Sequence, residues 1–227
     1  MSLFGLLEIL DPLRGMPATW ILLGAGFLAV AVWDVRLALP ALGVHYLAAG
    51  LLFVDLLDPR LAIVYVLAGL IATAILLVTA AQVNWGRPPA DLTAEERAQL
   101  RLEPGRSIGP FLITNRILLR ALLAAAVMAV LWFLVQSDGI STNPEQVYLD
   151  TAIYGLMGLG IVGLATSPDP LRSGIGVMLL LTGFELSNSQ NVQSLALVVA
   201  LVAVNLLIAV VIAYMAQARF LPAESRD

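Results

Sequence analysis

The sequence predicts an all-α membrane protein with about seven transmembrane helices. Of its 227 residues, 60% are hydrophobic and only 12% are charged, and the mean hydropathy is +0.92. A soluble domain of this size does not need so much apolar side-chain surface. The apolar residues also gather in separate runs near the length that a membrane-crossing helix requires, roughly 17–25 residues.

Seven apolar segments account for most of the chain, and we expect each of them to form one transmembrane helix. Tight turns separate most of them, and two of these turns contain the same dipeptide, Asp58-Pro59 and Asp169-Pro170. An Asp caps the start of a helix, and a Pro fits its first position. The predicted segments are 17–34, 37–57, 60–83, 112–136, 149–166, 171–188 and 193–217.

Residues 1–16 precede the first of these segments. They are too short to cross a membrane and lack the basic start of a signal peptide. Their apolar residues fall on one helical face, so we expect an amphipathic helix that lies in the membrane interface. A helix docked on a neighbouring protein fits the same pattern. The apolar positions are Leu3, Phe4, Leu6, Leu7, Leu10 and Leu13, and the polar positions opposite are Ser2, Glu8 and Asp11.

The arginines predict the orientation of the chain in the membrane. There is no lysine, and an external N-terminus places all of the arginines except Arg14 and Arg60 on the cytoplasmic side. The positive-inside rule therefore favours an external N-terminus and a cytoplasmic C-terminus, in the cell (inner) membrane. The one long polar loop, residues 84–111, then lies in the cytoplasm.

A constant offset of 133 residues relates the two halves of the chain. It aligns Gly43 with Gly176 and Gly50 with Gly183. Duplicated groups of helices are common in membrane carriers and channels, so the offset predicts a 3+1+3 internal repeat whose two copies have the same orientation. The predicted parts are a three-helix repeat at 17–83, a linker transmembrane helix at 112–136 and a second three-helix repeat at 149–217.

Polar residues within the C-terminal apolar segments are the candidates for function. Glu185 is the acid most deeply embedded in apolar sequence, and Asn205 lies near the middle of the last segment. A charge at mid-helix costs roughly 2.5–3.5 kcal/mol, so such a residue is a functional candidate. Thr182, Glu185 and Ser189 would form a polar stripe on one helical face. We name these three residues and Asn205 as candidates for a proton or ion path. Alternatively, Glu185 snorkels to the nearby interface or joins two helices by a hydrogen bond.

His45 is the only histidine, and the chain has no cysteine. It is either a neutral side chain bonded to a carbonyl or a proton relay, and we include it among the path candidates. Without cysteine, the chain has no disulfide, thiolate metal site or thiol catalyst. It also contains no nucleophile–base pair, metal-ligand cluster or phosphate-binding glycine loop. We therefore expect no catalytic residue, no metal and no cofactor, and no activity as an enzyme.

A stretch of the sixth segment, Gly176 to Glu185 (GVMLLLTGFE), is followed by the helix that contains Asn205. With these residues, positions 149–217 resemble the small three-helix membrane subunit of respiratory complex I, its K or 4L subunit. They are similar also to the C subunit of multi-subunit sodium/proton antiporters and to the E subunit of hydrogenase-4-type complexes. The N-terminal half shares the resemblance only through the repeat.

The resemblance implies a place in an ion-translocating membrane arm, among other integral membrane subunits and lipids and without nucleic acid. In the complex I subunit, a Glu of the second helix follows a Gly-x-Glu pattern, which Gly183-Phe184-Glu185 matches here. A second Glu is usual in the third helix, where this chain has Asn205. An amide forms hydrogen bonds but does not carry a proton as a carboxylate does. A conducting role would therefore need acids or lysines from neighbouring subunits.

Three functions remain open from the sequence. The first is a non-catalytic subunit of a proton- or cation-translocating respiratory, hydrogenase-like or antiporter complex, which lines or supports an ion path. The second is a purely structural or assembly subunit of an energy-transducing membrane complex, which the missing second carboxylate favours. The third is a self-sufficient small carrier built on the repeat, although the predicted helices contain few polar groups that could coordinate a solute.

Overall fold

The computed structural model describes residues 11–32, 34–86, 110–137, 146–167, 169–191 and 194–220. These residues form seven α-helices and no β-strand, which confirms the predicted all-α class. Two short 3-10 turns occur at Asp11–Leu13 and Asn84–Gly86. The helices are α1 (Met16–Ala31), α2 (Val35–Leu56), α3 (Pro59–Gln82), α4 (Pro110–Gln136), α5 (Val147–Thr166), α6 (Pro170–Asn191) and α7 (Leu195–Phe220).

Five of the described helices are long and apolar enough to cross a membrane: α2, α3, α5, α7 and the Leu118–Gln136 part of α4. Helix α1 is apolar but has only 16 residues. Helix α6 has 22 residues and is the least apolar of the seven. The multi-pass membrane character is therefore supported by five helices, while the predicted count of seven spans stays a prediction.

The two ends of the bundle are identified by side-chain bonds between helices. At one end, which we call the Arg14 face, Arg14 Nε donates to Asp55 Oδ1 over 2.8 Å and Thr19 Oγ1 donates to the Tyr148 carbonyl over 3.0 Å. The other end contains Asp169, at the start of α6, and we call it the Asp169 face. There Gln217 Nε2 donates to Gln82 Oε1 over 2.8 Å. Successive helices thus run in opposite directions through the bundle.

Helices α5 and α6 approach most closely, because glycines line their contact. A β-carbon at Gly160 would lie 2.8 Å from the carbonyl oxygen of Gly176, and one at Gly176 would lie 2.6 Å from the backbone nitrogen of Leu164. Neither position leaves space for a larger residue. Small residues allow this approach in membrane helices, where van der Waals packing is a main source of association.

The helices of the two predicted triplets lie against one another in matching order. Helix α1 packs on α5, α2 packs on α6, and α3 packs on α7. Helix α4 packs on α5 and α1 and has the least buried apolar span. Helix α6 also packs on α5 and α7. It therefore lies between α5 on one side and α2 and α7 on the other. The internal repeat itself stays a prediction.

The helix starts agree with the two Asp-Pro dipeptides. Asp58 Oδ1 accepts from the Arg60 amide over 2.9 Å at the start of α3, and Asp169 Oδ1 accepts from the Leu171 amide over 3.3 Å at the start of α6. Each Asp pairs a free backbone N–H of the first helical turn. The predicted caps at both positions are confirmed.

Three predicted features differ from the structure or lie outside it. The sixth predicted segment, 171–188, is shorter than the helix that it forms, because α6 continues to Asn191, whose side-chain amide donates to the Ser187 carbonyl over 3.1 Å. Of the predicted interfacial helix 1–16, residues 1–10 lie outside the described residues, and Asp11–Leu13 form a 3-10 turn. Most of the predicted loop 84–111 also lies outside the described residues.

Candidate functional site

Helix α6 places its polar side chains on the face that points into the bundle. Thr182, Glu185 and Ser189 follow at helical spacing, and their exposed fractions are 0%, 1% and 2%. Glu185 lies six residues before Asn191, about 9 Å from the end of α6 at 1.5 Å per residue. Its carboxyl is nevertheless covered by protein, so it points inwards and does not snorkel along the helix to the Arg14 face.

Asn205 of α7 connects Glu185 to a tyrosine of α2. Its Nδ2 donates to Glu185 Oε1 over 3.4 Å, and its Oδ1 accepts from the Tyr46 hydroxyl over 3.3 Å. The two ends of one amide are thus matched to an acceptor and a donor, which fixes its orientation. We call Glu185, Asn205 and Tyr46 the buried triad; it joins α6, α7 and α2 in the centre of the bundle.

The remaining contacts of the triad hold Tyr46 in place. The Tyr46 hydroxyl also lies 3.4 Å from Met178 Sδ, and Thr182 Oγ1 donates to the Met178 carbonyl over 3.0 Å. The Tyr46 ring packs against Gly69 of α3, where any β-carbon would collide with it. Tyr46 and Asn205 are 2% and 1% exposed, so the whole triad is closed off by its own chain.

The electrostatic setting of Glu185 is unusual for a carboxyl. None of the ion pairs formed by the described residues involves it. An ionised carboxylate is costly where water is excluded and no cation is adjacent. A neutral amide N–H compensates only part of that cost. The triad is therefore suited to hold a carboxyl that gains or loses a proton only when water or a proton acceptor reaches it.

Tyr65 of α3 is a further polar group beside the triad. Its side chain is 2% exposed, and its ring is stacked on Phe53 with a centroid distance of 4.3 Å. The hydroxyl lies near Ser189 and within electrostatic range of Glu185, but it has no hydrogen-bond partner among the described residues. Buried tyrosine hydroxyls usually have a partner. Tyr65 is thus a further buried hydroxyl beside the triad, close to Ser189.

Sequence reasoning did not find Tyr46 or Tyr65, because a tyrosine in an apolar helix contributes to hydropathy like any other aromatic residue. For both tyrosines, the sequence contains a signal that could have identified them. A tyrosine hydroxyl at mid-helix needs a partner inside the bundle, and the two other polar groups at similar depth were Glu185 and Asn205.

His45 lies next to Tyr46 but faces another helix. Its ring is fully buried, and Nδ1 lies 3.4 Å from the Leu22 carbonyl of α1. Nε2 has no partner among the described residues. The four other predicted path residues come together around α6, whereas His45 bonds on the α1 side. Among the described residues, its hydrogen bond is thus to a backbone carbonyl.

The comparisons with known proteins give no match. No protein-family model, no curated protein and no solved structure matches this chain. The resemblance to complex I and antiporter subunits therefore depends on its motif residues alone and stays an expectation. Among the described residues, no group of three or more His, Asp or Glu side chains is placed to hold a metal ion.

Proposed function

We propose that this chain is an integral membrane subunit of a proton- or cation-translocating complex of the respiratory, hydrogenase-like or antiporter kind. The observation that carries the proposal is the buried triad, in which a carboxyl without an ion-pair partner in the described bundle is hydrogen-bonded through Asn205 to Tyr46. A carboxyl is expensive at this depth. Packing alone does not require it, since a Gln or Leu would fill a similar volume.

Within this proposal, Glu185 is the residue that exchanges a proton, and Asn205 and Tyr46 position it. Asn205 cannot carry a proton as a carboxylate does, so the triad provides one titrating site and not a continuous path. Thr182, Ser189 and Tyr65 provide hydroxyl groups near the carboxyl, at which water could be held. The remaining acids or lysines of the path would come from neighbouring membrane subunits.

The proposed setting follows from the same features. The subunit lies in the cell (inner) membrane with its N-terminus outside and its C-terminus in the cytoplasm, and its partners are other integral membrane subunits and lipids. It contributes no catalytic residue and no cofactor of its own. The 3+1+3 repeat would place both triplets in the same orientation, with the titrating acid only in the second.

A purely structural or assembly subunit is the second candidate. The observation that favours it is that the polar bonds inside the bundle also join helices: Asn205 to Glu185 joins α7 to α6, and His45 to the Leu22 carbonyl joins α2 to α1. Such bonds contribute roughly 0.6–2 kcal/mol each to helix association in membranes. On this view the triad fixes the packing of the helices and moves no ion.

Substitution of Glu185 separates the two candidates. Glu185→Gln keeps the shape and hydrogen-bonding capacity of the side chain but cannot ionise, so we expect the parent complex to assemble while its coupled ion movement falls about a hundredfold or more, within the range of proton-transfer contributions. Glu185→Asp keeps the acid and is the matched control, which should retain more activity. Native electrophoresis measures assembly of the parent complex. Ion uptake into membrane vesicles from the cells that contain the complex measures coupled ion movement.

Asn205→Ala completes this experiment. It removes the bond between α6 and α7, so assembly should suffer more than transport. If Glu185→Gln leaves coupled transport unchanged while Asn205→Ala disrupts assembly, the proton-exchange role is wrong and the structural role stands. Gentle solubilisation followed by mass spectrometry of the co-purifying proteins identifies the parent complex.

A further inference from the structure

Glu185 lies much nearer to one end of the bundle than to the other. Helix α6 ends at the Arg14 face, where Gln190 Nε2 donates to Asp150 Oδ1 near the start of α5 over 3.4 Å. Glu185 precedes the last residue of α6 by six positions and follows the first by fifteen, which corresponds to about 9 Å and about 22 Å at 1.5 Å per residue. The two ends of the bundle are therefore not equivalent for a proton that reaches this carboxyl.

Polar side chains continue from Glu185 towards the Arg14 face. Ser189 is buried one helical turn closer to that face on α6. Tyr65 follows the start of α3 by six positions, so its backbone lies about 9 Å below the same face. Its side chain leans back towards that face, because side chains tilt towards the N-terminus of their helix. The Tyr65 hydroxyl lies near Ser189 and within electrostatic range of Glu185. Two hydroxyl groups thus lie between the carboxyl and the Arg14 face.

On the other side of the triad, towards the Asp169 face, the neighbouring helices present apolar side chains. The buried positions of α6 between Arg172 and Thr182, a distance of about 15 Å, are Gly174, Ile175, Gly176, Met178 and Leu179. The buried positions of α7 beyond Asn205 are Ala209, Ile212, Ala213 and Ala216. In α3 the next buried hydroxyl after Tyr65 is that of Thr73, which donates to the Gly69 carbonyl of its own helix over 2.8 Å. We call these buried positions of α6 and α7 the apolar layer; they offer a proton or a water molecule no polar side chain.

We propose that Glu185 exchanges its proton with the Arg14 face alone, past the hydroxyls of Tyr65 and Ser189, and that the apolar layer closes the site towards the Asp169 face. This inference rests on the proton exchange proposed above for Glu185 and adds its direction. Each hydroxyl accepts a proton on its oxygen and releases its own, so both are unchanged after the transfer. The net change is one proton gained or lost by the Glu185 carboxyl.

The direction has a consequence for the parent complex. A titrating group that is open to one side only cannot carry an ion across the membrane by itself. The other half of the path would therefore lie in neighbouring subunits. With the predicted topology, the Arg14 face is the external one, so this chain would serve the external half.

The test follows hydrogen–deuterium exchange at the Glu185 carboxyl in the purified full-length chain, reconstituted in lipid nanodiscs. Infrared spectroscopy detects the C=O stretch of a protonated carboxyl, which shifts after transfer to D2O. The band is assigned to Glu185 by its loss in Glu185→Gln. We expect Tyr65→Phe and Ser189→Ala each to slow the exchange about tenfold, the effect of one hydrogen bond missing along the path. Looser packing would admit water and speed the exchange, so a folding defect cannot produce this slowing.

Two matched variants locate the path. Ser187→Ala removes a half-buried hydroxyl from the same helix, two positions before Ser189 and on another side of α6. Thr73→Val removes a buried hydroxyl of similar size from α3, further from the Arg14 face than Tyr65. Both variants should leave the exchange rate of the Glu185 carboxyl unchanged.

The outcomes separate this inference from the proposed function. An unchanged rate in both Tyr65→Phe and Ser189→Ala would overturn the proposed direction, and so would an equal slowing in Thr73→Val. In either case Glu185 would still exchange a proton, and the proposed function would stand. A wild-type protein without the Glu185 band, or with a band that never shifts in D2O, would contradict proton exchange by Glu185 itself and the proposed direction with it.

Discussion

The ring of Tyr46 on α2 rests against Gly69 on α3, at a distance that leaves no space for a side chain at position 69. This contact directs the Tyr46 hydroxyl towards Asn205, 3.3 Å away on α7. Gly69 of α3 thus determines where the Tyr46 hydroxyl of α2 meets Asn205 of α7. The buried triad depends on this glycine although Gly69 has no polar side chain to contribute.

We predict that Gly69→Ala displaces Tyr46 and destabilises the bundle. Overpacking of this kind costs about 1–3 kcal/mol, so the midpoint of thermal unfolding in detergent should fall by several degrees. Gly24→Ala is the control, because Gly24 lies inside α1 and a β-carbon added there would have no neighbouring atom within 4 Å. That change should be neutral or slightly stabilising. Equal stability of the two variants would show that the Tyr46 contact is unimportant.

A related prediction concerns the hydroxyl of Tyr46. Tyr46→Phe should cost about 0.6–2 kcal/mol, the range for a hydrogen bond between membrane helices. Tyr154→Phe, at a position 56% exposed on α5, should cost nothing measurable. Unfolding in mild denaturant measures both. In a Gly69→Ala background the effect of Tyr46→Phe should shrink, because the bond to Asn205 is already lost; full additivity would argue against the coupling.

The ion pair at the Arg14 face provides a separate prediction. Arg14 is hydrogen-bonded to Asp55 and also pairs with Asp11, and its side chain is 35% exposed. The pKa of Arg14 is raised above its usual value, mainly by the hydrogen bond to Asp55. Because the pKa of Arg14 is higher in the folded than in the unfolded protein, the pair stabilises the fold fully at pH values below the pKa of the unfolded state. This stabilisation is lost only as the pH rises through the pKa of the folded state. The arginine therefore stays charged throughout the working range of pH.

Removal of this pair should cost little, because ion pairs near the protein surface contribute roughly 0–1 kcal/mol. We expect Arg14→Gln and Asp55→Asn each to lower unfolding free energy by up to about 1 kcal/mol, with a coupling of similar size in the double variant. Salt should weaken the effect. A loss of unfolding free energy well above this range would point to another role for Asp55. The same would follow if the double variant showed no coupling between the two residues.

The orientation in the membrane can be tested directly, since the chain has no cysteine of its own. Single cysteines at positions 100 and 142 report on the two predicted sides. A membrane-impermeant maleimide added to intact cells should label position 142 and leave position 100 unlabelled until the cells are opened. Labelling of position 100 from outside would reverse the predicted topology.

The fold was predictable because apolar runs mark the helices and Asp-Pro dipeptides mark two of their starts. The lengths were less predictable at polar ends: α6 continues through Ser187 to Asn191 because the polar side chains there bond to their own helix and to α5. Asn191 donates to the Ser187 carbonyl, and Gln190 Nε2 donates to Asp150 Oδ1 over 3.4 Å. Hydropathy does not register such bonds.

The site was predictable in part for a similar reason. Glu185 and Asn205 are conspicuous because they interrupt apolar sequence, and their spacing alone could not show that they meet at 3.4 Å. Tyr46 and Tyr65 were missed because their rings are apolar and only their hydroxyls matter.

Helix α6 is the least apolar of the described helices, yet it lies between α5, α2 and α7. A segment with Arg172, Glu185 and a polar C-terminal turn partitions poorly into lipid alone. We therefore expect α6 to enter the membrane together with α5, as a hairpin held by Gly160 and Gly176. On this expectation, a bulky residue at either glycine would hinder the insertion of α6 and not only its packing.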